Sequence, residues 1–204
     1  DLLHTLLDIS KLDAGVVEPQ ISDISLEILF SSLKSDFQAQ AALKGLKLRF
    51  HPRGMVVRSD RALLRRILQN IVSNAVRYTR VGGIQVSAHA RDDMVRIDVM
   101  DTGHGIPNDQ REAIFEEFHR GSNPLDIGSS GGLGLGLSIV RRMTDALGHP
   151  IDFHSVVGRG NVFHLDVPAA AQAAIDQSAS PGEKERPRGY GLFGTKVLLI
   201  ENDT

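Results

Sequence analysis

The chain has 204 residues, a formal net charge of −2 and an apolar content of 41%, enough for a sizeable core and without the basic excess of a dedicated nucleic-acid binder. It has no cysteine, which excludes disulfide frameworks and thiolate metal sites. No apolar run approaches the roughly 20 residues of a membrane-spanning helix, and with no Trp and few other aromatics the core must be aliphatic.

In chain order, residues 1–14 are predicted to be a helix, because Leu2, Leu3, Leu6, Leu7, Ile9 and Leu12 recur at helical spacing and Gly15 stands where such a helix stops. A helix this short is marginal alone in water. It reads as the tail of something longer, and Asp1, with neither an initiator Met nor a basic leader, agrees with a piece of a larger protein. Ile21–Ile24 has strand character, and Ser25 is a candidate cap for a helix reaching about Leu43. Leu46–Phe50 alternates as a half-buried strand, with Met55–Val57 expected to pair with it. Asp60 opens a helix to about Tyr78 with Leu63, Leu64, Ile67, Ile71 and Ala75 on its apolar side. Ile84–Ala90 and Met94–Met100 form a hairpin, and Asp109–Phe118 reads as helical. The stretch from Gly121 to Gly136 is rich in Gly, Ser, Asn and Pro and reads as a mobile loop. Leu137–Leu147 is a helix stopped by Gly148 and Pro150, and Ile151–Val156 and Asn161–Val167 form a closing hairpin around Gly158-Arg159-Gly160. Residues 169–195 have linker composition, and Lys196–Ile200 is a short strand-type run.

Four clusters carry candidate chemistry. Arg66, Asn70, Asn74 and Tyr78 lie four apart and share one helix face. Asparagines weaken a helix interior, so two on one stripe need a reason. Asn74 can offer a neutral oxygen to a hard cation such as magnesium, and Arg77 could neutralise a phosphate; a plain solvated face is the alternative. Asp101-Thr102-Gly103-His104-Gly105-Ile106-Pro107 follows an apolar strand. Its carboxylate can accept a hydrogen bond from the amino group of adenine, where guanine presents a carbonyl, and its glycines let a flat ligand approach the backbone. An ordinary turn is the alternative. Gly131-Gly132-Leu133-Gly134-Leu135-Gly136-Leu137 opens a helix, an arrangement of backbone N–H groups suited to phosphates, with leucines that could anchor the loop. Neither a P-loop nor a Rossmann pattern fits: the formal Gly-x-Gly-x-x-Gly at Gly189, Gly191 and Gly194 follows a linker and precedes a strand. In the fourth cluster, Phe115 and Phe118 could pin the mobile segment to the core and leave Arg120 able to swing onto a terminal phosphate; an amphipathic helix end is the alternative.

Taken in order, Asn70-x-x-x-Asn74-Ala75-x-x-Tyr78-Thr79, Asp101-x-Gly103-x-Gly105-Ile106-Pro107, Phe115-x-x-Phe118 and Gly132-x-Gly134-Leu135-Gly136-Leu137 resemble the N, first glycine, F and second glycine boxes of sensor histidine kinases. Gly158-x-Gly160-x-x-Phe163 is similar to their closing glycine motif, although Asn161 stands where Ser or Thr is frequent. Leu6 to Gly15 resembles the end of the second helix of their dimerisation and phosphoacceptor domain. The resemblance implies an α/β two-layer sandwich, the Bergerat ATP-binding fold of the GHKL superfamily, with a mixed sheet and helices on one face. It divides the chain into a dimerisation-helix remnant (1–14), a catalytic ATP-binding domain (15–168), a flexible linker (169–195) and the first strand of a truncated receiver (196–204). The last piece rests on Glu201-Asn202, where Asn202 departs from the usual Asp.

By position, the resemblance makes Asn74 the magnesium ligand with Asn70 beside it, and Arg77 and Arg120 the phosphate contacts. Tyr78, Asp101, Gly103, Gly105 and Ile106 fall to the adenine side, Gly132, Leu133, Gly134, Leu135, Gly136 and Leu137 to the phosphate side, and residues 121–131 form an ATP lid. It implies ATP and Mg2+ as cofactors, and as partners the dimerisation domain of the same protein and a receiver domain of the same or a cognate regulator, in a homodimeric, cytoplasmic or membrane-anchored hybrid kinase without a nucleic-acid ligand. None of the eight histidines sits in a His-Glu-x-x-Thr-Pro-like phosphoacceptor motif, so this chain would supply the nucleotide half of the reaction. Two alternatives remain: an ATP-hydrolysing relative of the gyrase and chaperone branches, which carry Glu where Asn70 stands, and a non-catalytic nucleotide-binding module.

Overall fold

The computed structural model describes residues 18–116 and 134–170, and the backbone of 191–192 and 195–196. Strand β1 (Ile21–Ser25) leads into helix α1 (Leu26–Leu43), β2 (Lys47–His51), β3 (Val56–Asp60) and helix α2 (Arg61–Tyr78). Then come β4 (Gly83–Arg91), β5 (Met94–Asp101), helix α3 (Gly136–Leu147), β6 (Ile151–Val156) and β7 (Gly160–Pro168). The main sheet has the order β2-β4-β5-β7-β6. It is mixed, because β2 runs parallel to β4 while the other pairs are antiparallel.

Strand alternation decides which face is buried. Ile84, Val86 and Ala88 on β4, Val95, Ile97 and Val99 on β5, and Phe163, Leu165 and Val167 on β7 are all buried. Their core also takes in Leu29, Phe30 and Leu33 of α1, Leu64, Ile67, Leu68 and Ile71 of α2, and Ile139, Val140 and Met143 of α3. This is the expected helical layer on a mixed sheet. The alternate residues carry charge: Arg96 grips Asp166 through two bonds of 2.7 Å, and His164 Nδ1 lies 2.7 Å from Asp98.

Asp60 starts α2 as expected, its Oδ1 accepting the N–H groups of Ala62 and Leu63 at 2.9 and 3.0 Å. Ser25 precedes α1 but makes no side-chain cap; the Leu26 N–H donates instead to the Met55 carbonyl at 2.9 Å. Gly148, at φ 63, ends α3 in the left-handed conformation that favours glycine.

Two expectations are corrected. Met55–Val57 does not pair with Leu46–Phe50: β3 pairs antiparallel with β1, and β2 joins β4. Arg53 and Gly54, both left-handed (φ 52 and 66), turn the chain away after β2, and the sheet partner of β2 is the distant β4, so the outcome depends on both a local turn and a nonlocal pairing. The stretch from Asp109 is not one helix but two 3-10 turns, Asn108–Gln110 and Ala113–Phe115. Between Ile106 and Ala113 it has no apolar stripe to hold a regular helix against the core. After β7, Ala169 bridges to Val57, and the Ala170 N–H donates to the Val56 carbonyl at 3.0 Å.

Gly191–Leu192 and Thr195–Lys196 pair as a short antiparallel ladder across the expected boundary between the linker and the receiver strand. The predicted helix 1–14, Phe118, Arg120, the expected lid 121–131, Gly132 and Leu133, residues 171–190 and 193–194 of the expected linker, and residues 197–204 of the expected receiver strand lie outside the described residues.

Candidate nucleotide site

The polar stripe of α2 faces the start of α3. Asn70 Nδ2 donates to the Arg66 carbonyl at 3.0 Å, a back-bond to the preceding turn that fixes the carboxamide. A Cβ placed on Gly136 would lie 3.6 Å from Asn70 Oδ1, 3.7 Å from Asn74 Nδ2 and 3.9 Å from Asn74 Oδ1. Both asparagines therefore border the first turn of α3. That turn has no side-chain cap from Leu135 and no acidic residue, and a helix N-terminus of this kind favours an anion through its leading N–H groups and dipole. Leu135 is buried and Leu137 packs on the core, as anchoring leucines should.

Arg77 lies over the Tyr78 ring, 5.5 Å from its centroid, and the Tyr78 and His104 rings make a T-shaped contact with centroids 5.6 Å apart. The two aromatic residues connect the end of α2 to the loop after β5. Gly103 admits no side chain there, because a Cβ would come within 2.8 Å of the Tyr78 carbonyl. Gly105, at φ 75, is left-handed and would overlap the Val156 carbonyl.

Asp101 ends β5 and is 5% exposed. Burial pushes its carboxyl up from the ordinary carboxylate value, and a set of hydrogen bonds works against that. Asn161 Nδ2 lies 3.1 Å from Oδ1 and 3.0 Å from Oδ2, and the Gly103 N–H donates to Oδ1 at 2.8 Å. The nearby His104 acts in the same direction as these bonds. Asn161 Oδ1 accepts from Ser155 Oγ at 2.7 Å, and Ser155 Oγ accepts from the Ile106 N–H at 2.6 Å.

Ser155 was not among the sequence candidates, and Asn161 stood out only as a departure from the family pattern. Strand parity carries the signal. Asn161 shares the inward parity of Phe163, Leu165 and Val167, and Ser155 that of Ile151 and Phe153, so each is a polar residue at a core position.

Phe115 anchors the start of the undescribed segment. Its ring meets Phe153 at 5.8 Å, Phe153 stacks on Phe163 at 5.5 Å, and the Arg141 guanidinium lies 5.9 Å from the Phe115 centroid. Among the described residues no group of three His, Cys, Asp or Glu could hold a metal. A cation here would depend on Asn oxygens together with ligand phosphates, which suits magnesium.

The model for histidine kinase-, DNA gyrase B-, and HSP90-like ATPases matches residues 59–171, more than half of the chain, from the strand before α2 through β7. The chain belongs to this ATPase family. Its curated relatives are sensor kinases. It is 31% identical to the autoinducer 2 sensor kinase/phosphatase LuxQ of Vibrio vulnificus over 99% of this chain and 24% of that protein. It is 34% identical to the sensory/regulatory protein RpfC of Xanthomonas campestris over 87% of this chain and 26% of that protein. The chain thus spans about a quarter of these relatives' length. Among solved structures, full-length ShkA in complex with AMPPNP superposes with a TM-score of 0.72 at 32% identity, covering 83% of this chain and 35% of that one. The catalytic domain of histidine kinase ThkA gives 0.63 at 26% identity, covering 73% of this chain and 95% of that one. The α/β sandwich is therefore the counterpart of the catalytic domain of sensor histidine kinases. No described helix is long and apolar enough to cross a membrane.

Proposed function

We propose that this domain binds Mg-ATP between the end of β5 and the start of α3 and supplies its γ-phosphoryl group to a histidine on the dimerisation domain of a homodimeric, cytoplasmic-facing hybrid sensor kinase. The observation that carries the reading is the convergence of Asn70 and Asn74 on the uncapped first turn of α3 at Gly136. Adenine would meet Asp101 through its amino group and pack near Tyr78, Gly103, Gly105 and Ile106. Phosphates would meet the α3 N-terminus, with Arg77 and Arg120 as further cations and Gly132 to Leu137 as the closing turn. Bound magnesium would neutralise phosphate charge, with Asn74 as its protein ligand. Phosphoryl transfer rests mostly on such positioning and charge neutralisation. A receiver domain is the downstream acceptor in this reading.

Hydrolysis is the weaker reading, because Asn70 is a poor base and its Nδ2 is committed to the Arg66 carbonyl. Calorimetry with Mg-ATP and the wild-type, Asn74→Ala and Asp101→Ala chains tests the pocket; unchanged affinity in both variants would sink it. Phosphotransfer to the histidine of an added dimerisation domain, lost in Asn74→Ala, tests the reaction. Steady ATP turnover that needs Asn70 and no acceptor would favour hydrolysis.

A further inference from the structure

Ser155 is 1% exposed and Asn161 7%, and they face each other across β6 and β7 at inward positions. Burying two polar side chains beside a carboxylate is costly unless each finds partners. Their bonds run in one direction. The Ile106 N–H donates to Ser155 Oγ at 2.6 Å, and the hydroxyl hydrogen has its short acceptor in Asn161 Oδ1 at 2.7 Å, against 3.5 Å to the Ile106 carbonyl. With its oxygen so occupied, the Asn161 carboxamide must aim Nδ2 at Asp101, where it lies 3.0 Å from Oδ2 and 3.1 Å from Oδ1.

We propose that Ser155 and Asn161 are positioning residues that hold Asp101 as an acceptor-only carboxylate and thereby set the base preference of the pocket. The inference rests on the reading of Asp101 as the acceptor for the adenine amino group. A protonated carboxyl could donate to the carbonyl oxygen that guanine carries in place of that amino group, so keeping the proton off Asp101 is the selective element. Burial alone favours the proton, and the Asn161 bonds are the leading influence against it. His104 is the titratable neighbour that acts on Asp101 in the same sense as those bonds. Ser155 matters by preventing the carboxamide from turning its oxygen toward the carboxylate.

The test is calorimetry of the full chain with Mg-ATP and Mg-GTP at several pH values from about pH 5.5 to about pH 8.5. The chains compared are wild type, Asn161→Asp, Asn161→Ala, Asn161→Thr and Ser155→Ala, with Asp101→Ala as reference. Comparing each variant with wild type at the same pH cancels the titration of the phosphates. Asn161→Asp keeps the shape and places an acceptor where the donor was. Asn161→Ala should lose about tenfold in ATP affinity near neutral pH, the worth of a hydrogen bond to a charged group. Asn161→Asp should lose more. Both should recover part of the loss at the alkaline end and discriminate less against GTP. Ser155→Ala should change the same readouts to a smaller degree. Asn161→Thr, whose hydroxyl can still donate, should restore much of the discrimination, which a merely structural role would not explain. If Asn161→Asp fails to fold, Asn161→Ala and Ser155→Ala decide. If these fold and keep the wild-type ATP:GTP ratio and pH profile while Asp101→Ala has lost ATP, the proposal is overturned and the reading of Asp101 stands. If Asp101→Ala binds as wild type does, both fall.

Discussion

Replacing Gly136 with Ala should make the domain more stable and a poorer nucleotide binder. Gly136 is the first residue of α3 and is not in the left-handed region. An added Cβ would stand 3.6 to 3.9 Å from the Asn70 and Asn74 carboxamides, ordinary van der Waals contact, so the free protein accepts it without displacement. Removing a helical glycine reduces the freedom of the unfolded chain and stabilises by about 0.4–1 kcal/mol. For a domain of this size that raises Tm by roughly 1–4 °C. The same methyl occupies the gap between the asparagines and the leading N–H groups of α3, which the phosphates and their cation need. Losing one or two charge-assisted hydrogen bonds there costs about 1.5–3 kcal/mol each, so Mg-ATP affinity should fall at least about tenfold. Thermal unfolding without nucleotide and calorimetry with Mg-ATP read the two effects separately. A raised Tm with affinity within about twofold of wild type would refute the phosphate cradle. A lowered Tm would refute the packing argument and leave the cradle unaffected.

Other consequences concern stability. His149 Nε2 pairs with the buried Ser59 hydroxyl at 2.8 Å, its Nδ1 is buried without a partner, and burial pushes the imidazole below its ordinary value of 6.5. The fold therefore favours neutral His149. This contribution is fully present above the unfolded value of 6.5 and is lost as pH falls below it toward the depressed folded value. Tm measured against pH should fall less steeply on the acid side of that value in His149→Gln than in wild type, and parallel curves would count against the burial argument. Asp60→Ala removes the cap of α2 and the acceptor for the Gln20 N–H at 2.8 Å, and urea unfolding should show a loss of about 1 kcal/mol. Phe115→Ala removes a half-buried ring whose Phe153 contact is at 5.8 Å; it should cost about 2 kcal/mol, clearly less than Phe30→Ala, where the ring is 1% exposed. Equal losses would mean that Phe115 is part of the main core.

Local signals were legible and nonlocal choices were not. Asp60 followed by leucines at helical spacing marks the start of α2, and the β4–β5 hairpin follows from alternation across Asp92-Asp93; both depend on residues close in the chain. The left-handed pair Arg53-Gly54 turns the chain away after β2, but the partner of β2 depends on where α2 brings β4 back, which no residue near β2 encodes; the nearer apolar run at Met55–Val57 pairs with β1 instead. The residues around Asp109 carry helix-compatible side chains, but without an apolar stripe they settle into short turns held by Phe115. At the site, the Asn70–Asn74 stripe and Asp101 were readable because polar residues interrupt an expected pattern. Ser155 interrupts a pattern as well, but its meaning requires the register that sets it opposite Asn161 and Asn161 opposite Asp101.

The two ends of the site are built differently, and this should separate the effects of mutation. At the base end, Asp101, Asn161 and Ser155 occupy inward strand positions continuous with the core, and their hydrogen bonds replace apolar packing within the sheet. At the phosphate end, the half-buried Asn70 and Asn74 border Gly136 at the start of α3, and Asn70 is bonded to the backbone of its own helix. A change at the base end leaves a buried donor or acceptor unpaired, so it must alter stability together with affinity. A change at the phosphate end leaves no buried group stranded and can raise stability while it lowers affinity. Plotting apo-state stability against Mg-ATP affinity should therefore place Asn161 and Ser155 variants on a common trend and Gly136→Ala and Asn74→Ala off it.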